Sequence, residues 1–151
     1  GLSEEVFLER LGTSFEVEPT PEGACRPRGL REFGLCLKGG WRRLRAKEGT
    51  WNEDDPVGAL DVTVLSEHIL EPILGITDLR RDKRVDFVGG IRGLGELERR
   101  VGSGEMAAAF ALHPVSMEQL LAIADAGEIM PPKTTWFEPK LRSGLVVHDL
   151  E

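Results

Sequence analysis

Residues 32 to 46 form the part of the sequence that most restricts the fold. In EFGLCLKGGWRRLRA the apolar residues Phe33, Leu35 and Leu37 alternate with other side chains, and a Gly39-Gly40 pair follows. Alternation with a period of two predicts a strand with one face against a core, and two adjacent glycines suit a tight hairpin turn. We therefore predict a β-hairpin in the N-terminal half, in a sheet whose apolar face another layer covers.

Helical and strand-like segments alternate along the rest of the chain. Helices are predicted at residues 3–11 (N-cap Ser3), 61–71 (N-cap Asp61), 94–101 and 116–126 (Ser116 and Gln119 as a capping box), and strands at residues 14–19, 85–88, 105–114 and 144–150. This order predicts an α/β or α+β fold, a mixed sheet with helices packed on it. A chain of 151 residues is long enough for a single domain, residues 1–151.

Three finer expectations follow from the apolar spacing. Val62, Leu65 and Ile69 are expected on the buried face of the second helix. The run EMAAAFALHP is continuous, which is typical of a fully buried strand. In the last predicted helix the inward face is expected to carry Leu120, Leu121 and Ala124.

Composition and charge exclude some classes of protein. There are 19 basic and 26 acidic residues, and a net charge of −7 argues against general binding to nucleic acids or anionic membranes. The longest wholly apolar run, Met106 to Leu112, is far shorter than the ~20 residues that span a bilayer. No signal peptide is visible, and Cys25 and Cys36 fit no metal spacing, so we expect free thiols in the cytoplasm, with a disulfide as the alternative. Because the chain begins at Gly1 on a helix start, we expect a processed chain or a fragment of a longer protein.

Basic residues are concentrated between Arg26 and Lys47, where eight of them face a single acid, Glu32. Surface charge of this kind is usually the solvated face of a hairpin. The alternative is a docking patch for an anionic ligand.

The stretch RVDFVGGIRGLGELERRV is the first candidate binding site. A strand-like run meets Gly89 and Gly90 and then becomes helical, and free N–H groups at such a turn attract anions. The dinucleotide fingerprint and the P-loop both fail here, because the third glycine and the Lys-Ser/Thr pair are missing. What remains is an anion-binding turn with Arg92 and Asp86 beside it, or else a plain glycine turn with surface ion pairs.

The stretch MPPKTTWFEPKLRSG is the second candidate binding site. Two prolines stiffen a loop that presents Lys133, Thr134, Thr135 and Lys140. Hydroxyls beside lysines bind phosphate or carboxylate oxygens through charge-assisted hydrogen bonds. The alternative is a rigid connector whose aromatic residues fill the core.

No catalytic or metal-binding set can be selected from spacing. His68, His113 and His148 show neither HxH nor HExxH spacing, so no zinc site is expected. Neither cysteine stands in a nucleophile motif, and no G-x-S-x-G is present.

Three segments together resemble one family. These are LDVTVLSEHILEPILGI, DKRVDFVGGIRGLGELERRV and AFALHPVSMEQLLAIADAGEIMPPKTTWFEPKLRSGLVVH, of which ADAGEIMPPKTTWFEPKLRSGL is the most specific. They resemble the C-terminal part of the bacterial and archaeal family called domain of unknown function 1015. The resemblance is weak before residue 55 and dense after it.

The resemblance implies a function that this chain would share with a missing half. Full-length members carry an upstream DGHHR-type motif, absent here, that resembles the ParB/sulfiredoxin-like fold of kinases of free serine. The resemblance thus implies the back half of a nucleotide-dependent kinase of a small hydroxyl-bearing metabolite, using ATP or ADP with Mg²⁺. Its partners would be a small-molecule ligand and the N-terminal half of the same protein. The alternative is a non-catalytic ligand-binding or scaffolding domain that packs on that half.

Overall fold

A four-stranded antiparallel sheet organises the chain in the computed structural model, which describes residues 2–21 and 23–134. The strands are β1 (Phe15–Pro19), β2 (Glu32–Leu37), β3 (Gly40–Ala46) and β4 (Ala109–Leu112), and their order across the sheet is β1-β3-β2-β4. All three pairings are antiparallel. With the helices described below, this confirms the α+β class and the hairpin in the N-terminal half.

The hairpin joins β2 to β3 at the centre of the sheet. Leu37 pairs with Gly40, so the two-residue turn is Lys38-Gly39 and not the predicted Gly39-Gly40. Gly40 has φ +114, a conformation that residues with a side chain rarely adopt, which explains why the second glycine opens β3. The turn thus begins one residue earlier than the glycine pair suggests.

Helices connect and cover the strands. They are α1 (Glu4–Ser14), α2 (Asp61–Leu65) continued by a π-helical turn (Ser66–Leu70), a 3₁₀ turn (Gly90–Arg92), α3 (Leu94–Gly102) and α4 (Met117–Asp125). The Ser3 hydroxyl accepts a hydrogen bond from Val6 N, and the Ser116–Gln119 capping box forms as predicted. Gly127, at φ +70, follows the last turn of α4 in the left-handed conformation typical of a C′ residue.

Each face of the sheet packs against a separate apolar cluster. On one face Phe33, Leu35 and Leu37 join α1 and the α2 segment, and the rings of Phe15 and Phe33 meet edge to face at 5.6 Å between centroids. On the other face Cys36 packs with residues of α3 and β4. The alternation predicted for β2 is therefore real, but α3 buries its second face as well.

Asp61 does not cap α2 as predicted. The N-cap is Leu60, which makes no side-chain hydrogen bond, and Asp61 is buried at the first helical position. Its Oδ1 accepts from the backbone N–H of Arg31 at 3.1 Å and from the Arg31 guanidinium at 3.0 Å. Arg31 also lies under the Trp51 ring, 4.8 Å from its centroid, so one arginine joins three segments.

Three other predictions are wrong in detail. Residues 85–88 form no strand, because no strand within residues 2–21 and 23–134 pairs with them, and the adjacent Arg84 instead donates to the carbonyls of Leu74 and Gly75. β4 lies at the edge of the sheet formed by the described strands and has only Ala111 buried, so it is not the fully buried strand that was predicted. In α4 the buried residue is Ile123, whereas Leu121 and Ala124 are exposed and Leu120 is half-buried.

The buried face of the α2 segment also differs from the expectation. Leu65 and Ile69 are buried as predicted, but Val64 and Leu70 share the core with them and Val62 is half-buried. The switch to π-helical hydrogen bonding at Ser66 changes the angular spacing beyond that residue, so a strict 3.6-residue period misses the burial of Leu70.

Two further expectations concern the compartment. Cys25 and Cys36 are both free and buried, in agreement with the predicted free thiols. Within residues 2–21 and 23–134, no helix has the length and apolar character needed to cross a membrane.

Candidate functional site

The glycine turn of the first candidate site leads into α3 through a short 3₁₀ turn. Gly93 is the N-cap of α3 and has φ +70, so no side chain caps the first N–H groups of this helix. Arg92 and Gly90 are exposed, and Gly89 is half-buried. Asp86 is already engaged, because its Oδ1 accepts from Phe87 N at 2.8 Å and its Oδ2 pairs with Arg100. The Asp86 carboxylate therefore acts as a tether between this turn and α3.

A network of ion pairs holds the surface of α3. Glu96 accepts from Arg99 at 2.8 Å and from Arg100 at 2.9 Å, and Glu105 lies 3.1 Å from Arg99. The hydrogen bonds from Arg99, and to a smaller extent that from Arg100, lower the pKa of Glu96 to about 2. The hydrogen bond from Arg100 also lowers the pKa of Asp86. These charges are satisfied by one another, so we assign them to structure.

This network predicts a pH dependence. Glu96 should titrate at a pKa of about 2 in the folded protein, against about 4.3 in an unfolded chain. The lowered value means that its stabilisation is present above the unfolded value and is lost as the pH falls toward about 2. Carboxyl ¹³C NMR titration measures it directly. Arg99→Ala should raise the pKa of Glu96, while Arg81→Ala should not, and equal values in both variants would contradict the assignment.

The second candidate loop lies against the charged connector that follows α2. Pro132 and Lys133 line an open hollow of about 210 Å³ together with Arg80, Asp82 and Phe87, and Leu79 and Val85 complete it. Lys133 is exposed and has φ +64, a backbone conformation that is uncommon and costly for a residue with a side chain. Two segments about fifty residues apart in the chain thus meet at one concave surface.

The charge of this hollow is positive. Arg80 and Lys133 line it, and no described carboxylate forms an ion pair with either. Asp82 lines it too, but Arg84 contacts that carboxylate at 2.6 Å and lowers its pKa through the hydrogen bonds it donates. Because Arg84 neutralises Asp82, the two remaining cations give the hollow its charge, and the half-exposed ring of Phe87 adds an apolar wall.

A second hollow of about 240 Å³ adjoins the first. The two share Leu79, Arg80 and Pro132, and the remaining lining of the second hollow is Ser66, Glu71, Ile76, Thr77 and Asp78. Two carboxylates and two hydroxyl groups line this second hollow, so its charge is opposite in sign to that of its neighbour.

The predicted site residues divide into three groups. Lys133 lies in the positive hollow, and Thr134 follows it with its hydroxyl donating to the Pro131 carbonyl at 2.8 Å. Gly89, Gly90, Arg92 and Asp86 line neither hollow. Thr135, Lys140 and the strand predicted at residues 144–150 lie outside the described residues.

Arg80, Asp82 and Phe87 were not among the predicted site residues. The signal that could have found them is the connector TDLRRDKR, in which four basic residues outnumber two acids within eight positions. Because of this excess, some cations of the connector have no carboxylate partner among the described residues. Arg80 is one of them, so its guanidinium is available to bind an anion.

The basic stretch from Arg26 to Lys47 is largely paired within the domain. Arg42 contacts Glu4 at 3.1 Å and Arg43 contacts Glu32 at 3.0 Å. Arg31 pairs with Asp61, Arg45 with Glu18, and Lys47 donates to the Gly12 carbonyl. These contacts favour the structural interpretation of the stretch over a docking patch.

The described histidines contribute hydrogen bonds to the fold. His68 lies between the Ser14 hydroxyl, 3.3 Å from Nδ1, and the Thr50 carbonyl, 2.9 Å from Nε2. His113 contacts the carbonyl of Pro114. Within residues 2–21 and 23–134, no three His, Cys, Asp or Glu side chains come together in a group that could hold a metal ion.

Comparisons of the chain with protein-family models, with curated proteins and with solved structures found no match. The resemblance to the domain of unknown function 1015 family therefore remains an expectation. The chemistry of the site itself is the basis for the function proposed below.

Proposed function

We propose that this chain is a ligand-binding domain that takes a small anion in the hollow lined by Arg80, Lys133 and Phe87. The observation that carries the proposal is the meeting of two cations without described partners at one concave surface. A guanidinium and an ammonium both donate to phosphate or carboxylate oxygens, and such charge-assisted hydrogen bonds are stronger than neutral ones.

The size of the hollow points to a small ligand. At about 210 Å³ it lies below the ~300–1,000 Å³ of sites for drug-sized molecules. Inorganic phosphate, a small carboxylate or the terminal phosphates of a nucleotide are the anions that suit it. The ring of Phe87 can cover an apolar part of the ligand and limit the access of water on that side.

The kinase function implied by the family resemblance is compatible with this proposal. Phosphoryl transfer depends mainly on positioning and on electrostatic stabilisation, which an arginine and a lysine supply. In that case the domain would hold the phosphates of ATP or ADP with Mg²⁺, or the anionic group of the metabolite, and another part of the protein would supply the catalytic residues. We also propose a cytoplasmic location, which the free thiols of Cys25 and Cys36 support.

A second candidate function is packing against another domain. Large apolar side chains are exposed on and after α4, with Met117 61%, Leu121 55% and Ile129 80% accessible. Exposed apolar surface of this kind is typical of interaction sites. This observation favours the scaffolding alternative, and it is compatible with ligand binding elsewhere on the same domain.

Calorimetric titration with inorganic phosphate and with ADP tests the proposed function. Lys133→Ala and Arg80→Ala should each weaken binding about twofold to fivefold, since a partly solvated ion pair contributes about 0.5–1 kcal/mol. Binding should also weaken as salt is added.

Lys38→Ala is the matched control. Lys38 is an exposed lysine in the hairpin turn and lines neither hollow, so its removal should change the affinity less than twofold. If all three variants bind as the unaltered chain does, or if nothing binds, the proposal is wrong.

A further inference from the structure

The two adjoining hollows differ in charge although they share part of their wall. Arg80, Leu79 and Pro132 belong to both. On one side Lys133 adds a second cation, and on the other Glu71 and Asp78 add two carboxylates. A ligand lying across the shared wall would thus meet cations at one end and anions at the other.

The acidic end is available for a contact. Glu71 is exposed, and its carboxylate forms no ion pair with any described residue. Asp78 Oδ1 accepts from Arg80 N at 2.9 Å, and its Oδ2 lies 3.7 Å from the exposed Arg81. One carboxylate is therefore open, and the other is only loosely paired.

Hydroxyl oxygens complete the acidic end. Ser66 Oγ donates to the Val62 carbonyl at 2.8 Å, which leaves its lone pairs able to accept. Thr77 lines the same hollow. An ammonium group carries three donors and no acceptor, so it fits a surface made of carboxylates and hydroxyl oxygens.

We propose that the paired hollows bind a small zwitterion, with its phosphate or carboxylate at Arg80 and Lys133 and its ammonium at Glu71 and Asp78. This inference rests on the proposed function, because the anionic end of the ligand occupies the same hollow. Aminoalkyl phosphates and amino acids share this chemistry. The second charge adds selectivity, since a plain anion gains nothing from Glu71 and is repelled by it.

Matched ligand pairs test the inference on the full chain by calorimetry. O-phosphoethanolamine is compared with ethyl phosphate, and β-alanine with propanoate, because each pair differs by one ammonium group. Each zwitterion should bind about fivefold tighter than its partner, as one or two partly solvated ion pairs allow. The pair that binds more tightly identifies whether the anionic group is a phosphate or a carboxylate.

Glu71→Gln separates the inference from the proposed function. The variant should reduce the preference for the zwitterion to less than twofold, while the affinity for ethyl phosphate stays the same or rises slightly. Glu67→Gln is the control, because Glu67 is an exposed acid within the π-helical turn that Glu71 follows, and it lines neither hollow.

The outcomes distinguish the two claims. Equal affinities within both ligand pairs, with binding still detected, would overturn the inference and leave the anion site intact. A preference that survives in Glu71→Gln would also overturn it. Failure of all four ligands to bind would overturn both.

Discussion

Replacing Arg31 with alanine should lower the free energy of unfolding by about 3 kcal/mol, because the buried carboxylate of Asp61 loses its cationic partner and keeps only the backbone N–H of residue 31. Arg31 contacts Asp61 through both its backbone N–H and its guanidinium, and also contacts the Ala59 carbonyl and the Trp51 ring. The side chain of Asp61 is only 4% exposed, and its Oδ2 already has no hydrogen-bond partner among the described residues. Urea denaturation at pH 7.5 measures the loss.

The pH dependence of that loss has a definite sign. Burial raises the pKa of Asp61 above its ordinary value, and the hydrogen bonds and charge of Arg31 oppose that rise. Without Arg31 the pKa should rise further. A carboxyl whose pKa is raised by folding destabilises the folded protein when it ionises. The cost of the substitution should therefore be largest at high pH and should shrink as the pH falls toward the pKa of Asp61 in the unfolded chain.

Arg45→Ala supplies the comparison. Arg45 pairs with Glu18 at 3.4 Å, and both side chains are about half exposed, so its removal should cost less than about 1 kcal/mol. A similar cost for Arg31→Ala and Arg45→Ala would show that the Arg31–Asp61 pair does not fasten α2 to the sheet.

Replacing Gly34 with alanine should also cost about 3 kcal/mol, at the upper end for overpacking of a core. Gly34 is buried in β2, where a Cβ would lie 2.1 Å from the carbonyl oxygen of Cys25 and 3.1 Å from the ring of Trp41. The first contact involves backbone, so the loop bearing Cys25 would have to move. Thermal and urea denaturation of the variant measure the effect.

Gly12→Ala is the matched control for this substitution. Gly12 lies within α1, where nothing approaches the position of its Cβ and φ is not in the left-handed region. Alanine there should stabilise the protein by about 0.5–1 kcal/mol through its better helix propensity. Equal stability of the two variants would contradict the close packing of the Cys25 loop on β2.

Local signals in the sequence predicted local structure well. The Ser116 capping box, the Ser3 N-cap and the alternation of β2 each depend on residues within a few positions of one another, and each is present. Local patterns did not predict the interactions between residues that lie far apart in the chain. Asp61 was expected to cap its own helix, but it bonds to Arg31, thirty positions away.

The candidate site illustrates the same division. The composition and proline content of the loop predicted Lys133 as a binding residue, and Lys133 lines the hollow. The sequence also predicted a binding site at the Gly89-Gly90 turn, whereas Arg80 and Phe87, which precede that turn, line the hollow. Which turn meets Lys133 depends on how the connector returns after α2, and Arg84 fixes that return by donating to the Leu74 and Gly75 carbonyls. No local pattern encodes those contacts.

Amide chemical-shift mapping on ¹⁵N-labelled protein during titration with inorganic phosphate tests the central claim most directly. If phosphate binds in this hollow, the largest shift changes fall together on Leu79 to Phe87 and on Lys133. Changes that cluster instead between Arg26 and Lys47, or that spread over the surface without saturating, would contradict an anion site in this hollow.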